Sequence, residues 1–183
     1  MMSDVCKHCV MAPCQQACPT GALIHNEFDN VFIQPEICNG CAYCIAACPF
    51  GVITRSIIDG HAHKCTLCYD RQREGLVPAC AKACPTESIQ FGPIDELRER
   101  ARKRVEELHR HGVPFAYLYG HTPTTTYSEL NSFYLLIDHP STYGLPEAPF
   151  NPWLHMEGDY LRAVLSGLAT IAGLLAVLLL TGD

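Results

Sequence analysis

Cys38-Asn39-Gly40-Cys41-Ala42-Tyr43-Cys44-Ile45-Ala46-Ala47-Cys48-Pro49 decides how the chain is read. Three thiols at spacings of Cx2Cx2C followed by a fourth as x3-Cys-Pro form the run that grips iron–sulfur cubes. A tight loop wraps three corners of one cube, and the fourth cysteine ligates a neighbouring one. Proline after the last cysteine ends the loop and presets the backbone.

Outward from this run the pattern repeats. Upstream lies Cys6-x2-Cys9-x4-Cys14-x3-Cys18-Pro19, and downstream Cys65-x2-Cys68-x11-Cys80-x3-Cys84-Pro85. Each block closes on Ala-Cys-Pro, at Ala17, Ala47 and Ala83, and the repeat interval is 30 and then 36 residues. All twelve cysteines of the 183-residue chain fall in these blocks. Disulfide frameworks need no fixed short spacing, whereas metal ligands must converge on one centre, so the density reads as metal binding. Four-thiolate zinc sites draw on paired CxxC units rather than a third cysteine and a closing Cys-Pro. Zinc is therefore the lesser reading, strongest for the third block with its long gap.

Exchange of fourth ligands between sister blocks predicts the sets. Cys6, Cys9, Cys14 and Cys48 are expected on one [4Fe–4S] cluster, and Cys38, Cys41, Cys44 and Cys18 on a second. Such exchange pairs blocks, and three blocks leave one over. Either Cys65, Cys68, Cys80 and Cys84 make a self-contained site, or Cys65, Cys68 and Cys80 are an incomplete third cluster and Cys84 serves a cluster of a preceding, missing block. With the first ligand only five residues in, an N-terminally truncated chain is expected. His8, His61 and His63 beside these thiols are expected to be supporting or solvated groups, since thiolates already suffice. Lys7, Lys64, Arg71, Arg73 and Lys82 lie among anionic clusters, where they raise potential, dock a partner or balance charge.

The remainder is organised differently. Short apolar runs at 22–24, 31–33, 52–54 and 88–91 read as strands too small to make a core alone. Ile94, Leu97, Ala101, Val105 and Leu108 recur at intervals of three and four, with Gly112 as a stop, predicting an amphipathic helix over 94–111. Its Arg and Lys residues are interleaved with Glu, which reads as a solvated face. Residues 113–159 are irregular, with possible strands at 115–119 and 133–137 and a Pro-rich linker over 140–152. The uncharged run 163–182 predicts a membrane helix over 160–181: its length of about 30 Å matches a bilayer core. Trp153 and Tyr160 would sit at its interface. Arg162 and Asp183 leave the side of the membrane open. With only five residues before Cys6, no signal peptide is expected there. Thirteen basic against nineteen acidic residues give a formal charge of −6, which argues against a nucleic-acid partner.

The stretches SDVCKHC at 3–9, CPTGAL at 18–23, CNGCAYCIAACPFGVI at 38–53 and KCTLCYDRQREGLVPACAKACPTESIQFG at 64–92 resemble the iron–sulfur (beta) subunits of membrane-bound formate dehydrogenases of the N type. The resemblance is specific in the first half of the chain and weaker over 113–159. It implies four cysteine blocks in two ferredoxin-like pairs, of which the first has no counterpart here. Up to three or four clusters would then belong to a complete chain, with Cys65, Cys68 and Cys80 sharing a cluster with the absent block and Cys84 serving the absent first cluster. It also implies a molybdenum or tungsten (molybdopterin) catalytic subunit as electron donor and a membrane cytochrome b, or the quinone pool, as acceptor.

The expected fold is α+β: a ferredoxin-like [4Fe–4S] domain over 1–93, a helix and irregular wrapping or linker segment over 94–159, and a transmembrane anchor over 160–183 in the cell membrane. The expected function is one-electron transfer with no catalytic residue of its own, since no nucleophile set or phosphate loop occurs. Alternatives are the equivalent subunit of another molybdopterin oxidoreductase or of a hydrogenase and, from a different class, a zinc-stabilised membrane adaptor.

Overall fold

Short segments between glycines, prolines and cysteines can form only short elements, and the computed structural model, which describes residues 3–181, is built from them. The chain divides into two compact units, Met1–Asn151 and Pro152–Asp183.

In the first unit, helix α1 (Pro13–Gln16) leads into a hairpin of β1 (Leu23–His25) and β2 (Val31–Ile33), paired antiparallel with Leu23 opposite Ile33. Its turn is held by Asn26, whose Oδ1 accepts the backbone N–H groups of Phe28 and Asn30 at 3.1 and 3.0 Å, the local bonding that favours Asn in turns. Helix α2 (Tyr43–Ala47) leads into a second hairpin, β3 (Thr54–Arg55) with β4 (Ala62–His63). Helices α3 (Tyr69–Arg73) and α4 (Ala79–Ala83) carry the third cysteine block. This block is stitched back to the first hairpin through buried amides. Asn30 Nδ2 donates to Gln72 Oε1 at 3.2 Å, and Gln72 Nε2 donates to the Leu67 carbonyl at 2.6 Å.

The α+β class and the strands at 23–25 and 31–33 follow the sequence reading, but residues 88–91 form no strand. After the first two blocks, the chain that follows Cys-Pro finds an antiparallel partner. After the third, Pro93 caps a long helix instead, so residues 88–91 have no strand to pair with. That helix, α5 (Ile94–Arg110), half-buries Ile94, Leu97, Ala101, Val105 and Leu108 and ends at Gly112, whose φ of +85° suits glycine at a helix terminus. A third hairpin, β5 (Tyr117–Tyr119) with β6 (Tyr134–Leu136), completes the unit. The core is continuous from cysteine blocks to this hairpin: Cys9, Cys14, Leu23, Val31, Cys44, Phe50, Ile53, Tyr127, Leu130 and Leu136 belong to one buried cluster.

The second unit is a 3-10 turn (Pro152–His155) and helix α6 (Met156–Thr181). Among the described residues no helix is long and apolar enough to cross a membrane, so the expected span finds no support there. The first turns of α6 carry Asp159 and Arg162, ion-paired at 3.5 Å. The rest of the expected anchor, the side chains of residue 176 and residues 178–181 together with residues 182–183, lies outside the described residues.

Candidate metal centres

The three CxxC loops share one backbone device. The residue before the second cysteine has positive φ in each: His8 at +44°, Gly40 at +70° and Leu67 at +54°. Ala42 and Cys68 are also left-handed, at +68° and +54°. Turning the chain this way points successive N–H groups into a concavity, the anion-binding nest found at many iron–sulfur sites. The loops accordingly donate to their own sulfurs: His8 N–H to Cys6 Sγ at 3.5 Å and Leu67 N–H to Cys65 Sγ at 3.4 Å. At Gly40 glycine is required sterically, because a Cβ would lie 2.2 Å from the Gly60 carbonyl oxygen. At the other end of the blocks, Cys48 (φ −80°, ψ 109°) and Cys84 (φ −81°, ψ 104°) are extended, as the following prolines demand.

Electrostatic influence between the sulfurs of the first two blocks links them in two sets that do not follow chain order. Cys6, Cys9 and Cys14 are buried, and the Cys48 sulfur acts electrostatically on all three. Desolvation pushes each of these thiols up, Cys9 to about 12, and the neighbouring sulfurs add to the effect. Opposing it, the Lys64 ammonium stabilises charge on Cys6 and Cys14, and the Tyr127 hydroxyl donates to Cys9 Sγ at 3.1 Å. The second group is Cys44 with Cys18, Cys38 and Cys41. Burial raises the Cys44 thiol, and the other three sulfurs raise it further. Around this group the Ala62 N–H donates to Cys38 Sγ at 3.5 Å. Cys18 is partly desolvated, yet hydrogen bonding by the Thr20 hydroxyl and by the backbone N–H groups of Leu23, Thr20 and Ala22 lowers it overall.

The third block is only partly assembled. Cys65 acts electrostatically on Cys6, and Ala79 N–H donates to Cys68 Sγ at 3.4 Å, placing Cys68 against the start of the helix that bears Cys80. Cys84 stands in a setting like that of Cys18, the other cysteine of a Cys-Pro-Thr run. The hydroxyls of Ser88 and Thr86, at 3.2 and 3.5 Å, and the Ile89 N–H draw it down to about 6. Thr20, Thr86, Ser88 and Tyr127 were not legible as site residues, although the repeated Cys-Pro-Thr carried a signal for two of them.

The histidines and cations divide by environment. His8 is fully buried and held neutral at about 3, by desolvation first and then by Lys64 and His25, and neither ring nitrogen has a hydrogen-bond partner among the described residues. His63 is exposed and pairs with Asp59 at 2.9 Å. Lys7 is buried, paired with Asp4 at 2.9 Å, with its ammonium 4.9 Å from the Tyr134 ring centre and 5.8 Å from that of Phe50. Lys64 donates to the Val31 and Cys65 carbonyls. Arg71 donates to the Val77 carbonyl at 2.9 Å, Arg73 lies over Tyr69, and Lys82 is exposed.

Among the described residues no three His, Cys, Asp or Glu side chains converge tightly enough for a single metal ion. The residues do fit a larger anionic cluster. Buried thiols that ionise only with compensation are surrounded by N–H, O–H and ammonium groups, and a buried imidazole stands among them with unused hydrogen-bonding capacity. A family described as the 4Fe-4S dicluster domain matches residues 1–94.

The chain belongs to the 4Fe-4S dicluster family.

The [4Fe–4S] chemistry anticipated from the cysteine blocks is thus that of its family. Relatives of this dicluster protein include the formate dehydrogenase iron-sulfur subunit of Haemophilus influenzae, 40% identical over 148 residues that make up 80% of this chain and 47% of the relative. The nitrate-inducible formate dehydrogenase iron-sulfur subunit of Escherichia coli is 41% identical over 150 residues, 80% of this chain and 50% of that protein. The B subunit of the Escherichia coli anaerobic dimethyl sulfoxide reductase is 42% identical over 99 residues, 54% of this chain and 48% of the relative. The chain spans about half the length of the curated relatives it matches.

Proposed function

We propose that the chain is the electron-transfer subunit of a formate dehydrogenase complex, carrying electrons from a molybdopterin catalytic subunit towards a membrane cytochrome b or quinone. When bound, each [4Fe–4S] cluster takes up and releases one electron without breaking its ligand bonds. The residues of this chain hold the cubes, exclude water and set how readily each is reduced. In this reading Cys6, Cys9, Cys14 and Cys48 hold one cluster, and Cys38, Cys41, Cys44 and Cys18 the other. What supports it is a crossed electrostatic influence: the Cys48 sulfur acts on Cys6, Cys9 and Cys14, and the Cys18 sulfur acts on Cys44.

For the third block, Cys65, Cys68 and Cys80 are read as ligands of one further cluster. Cys84 is read as a ligand of a different one, because its hydroxyl and N–H surroundings match those of the cross-ligating Cys18. Residues 1–93 are the cluster-bearing part and residues 94–151 its wrapping. The membrane location follows from the acceptor. The formate reading is preferred over a dimethyl sulfoxide reductase one because similarity to the formate dehydrogenase subunits extends over 80% of the chain, against 54%.

Crossed ligation has a direct test. In the anaerobically purified full chain, Cys48→Ser is expected to alter the same electron paramagnetic resonance signal as Cys14→Ser, and Cys18→Ser the same signal as Cys41→Ser. If Cys48→Ser instead groups with Cys41→Ser, the proposed sets are wrong. The partner is tested by co-purification: a molybdenum or tungsten subunit that reduces the clusters on adding formate supports the assignment, and a nickel–iron subunit ends it.

A further inference from the structure

Residues outside the matched cysteine-rich stretch form one wall of the first site. The strand-like segment around Leu130 runs antiparallel to the first ligand loop, with a bridge between Cys9 and Leu130. Val10 N–H donates to the Glu129 carbonyl at 3.2 Å, Ser132 N–H to the Lys7 carbonyl at 3.0 Å, and Met11 N–H to Ser128 Oγ at 3.0 Å. This strap places Tyr127 in the interior, with 1% of its surface exposed. Its backbone is fixed by Thr124, whose Oγ1 accepts the Tyr127 N–H at 3.0 Å and whose N–H donates to the Tyr127 carbonyl at 2.7 Å. Its ring packs edge-on against Phe50, with centroids 5.7 Å apart and planes at 89°. With backbone and ring both held, the hydroxyl donates to Cys9 Sγ at 3.1 Å.

We propose that Tyr127 is a positioning residue that raises the reduction potential of the cluster held by Cys6, Cys9, Cys14 and Cys48, through its hydroxyl hydrogen bond to the Cys9 sulfur. This rests on the ligand sets proposed above. A cluster gains negative charge on reduction, part of it on the cysteine sulfurs, so a fixed donor at one sulfur stabilises the reduced form more than the oxidised form. Burial strengthens the effect, because a hydrogen bond is electrostatically stronger in a low-dielectric interior. The other cluster has no bond to Tyr127 and is unaffected.

The test is a redox titration of the full chain, followed by electron paramagnetic resonance, comparing wild type with Tyr127→Phe. Phenylalanine keeps the ring against Phe50 and removes only the donor. The expected result is a lower midpoint potential for one cluster, that lost in Cys14→Ser, with the other cluster and the iron and sulfide contents unchanged. The proposal is overturned if Tyr127→Phe shifts neither midpoint, shifts the other cluster, or loses iron, which would make the residue structural. Should wild type bind no iron and sulfide under these conditions, it is the ligand reading that fails.

Discussion

Two glycines of the second block separate conformational need from steric need. Gly40 and Gly51 both have positive φ, +70° and +63°, but only Gly40 has a backbone atom where a Cβ would go. Gly40→Ala must push the Gly60 carbonyl away, and that carbonyl also accepts from Arg55 Nε at 2.9 Å. Strain of this kind costs on the order of 1–3 kcal/mol. We expect Gly40→Ala to lower the melting temperature and to deplete iron selectively from the cluster at Cys38, Cys41, Cys44 and Cys18. Gly51→Asn, which places a residue tolerant of left-handed backbone in open space, should retain full iron. Iron analysis with visible absorption checks both. Equal iron loss in the two variants would remove the distinction.

At the scale of elements, the long helix shows how little of an ion-pair pattern is structural. Glu99 pairs with Lys103 at 3.4 Å on the exposed face of α5, whereas Arg98 pairs at 3.2 Å with Glu129 on the strap beside the first site and is 14% exposed. Arg98→Ala is expected to cost about 1 kcal/mol in denaturant unfolding, and Lys103→Ala no more than about 0.5 kcal/mol. The reverse order would mean that α5 is not held to the strap by this pair. The periodicity of 94–111 made the helix readable, because its half-buried residues repeat along one face. It could not reveal what that face and its flanking arginine meet. The missing strand at 88–91 has the same origin: a strand needs a partner, and composition cannot supply one.

Over the first unit as a whole, several of the proposed ligands are also core residues. Cys9, Cys14 and Cys44 belong to the buried cluster that includes Leu23, Val31, Phe50 and Leu130, so metal and fold share their stabilising surface. Without iron these thiols remain as small apolar groups around polar neighbours such as His8 and Lys7, which need anionic or hydrogen-bonding company. Removing iron by anaerobic chelation is therefore expected to abolish near-ultraviolet circular dichroism and cooperative unfolding together with the visible colour, while helical signal persists in part. An iron-free chain unfolding at the same denaturant concentration as the holoprotein would contradict this.

The candidate ligands, their grouping into repeated blocks and the kind of cofactor were set by covalent spacing, which is present before any folding. Local periodicity likewise announced α5 and the two strands that pair in the first hairpin. Folding alone brought Cys48 into the company of Cys6, Cys9 and Cys14, and carried Tyr127 to Cys9 across 118 residues of chain. It also withheld a strand from 88–91. Contacts of that range depend on which surfaces bury one another, and a spacing of a few residues holds no record of it.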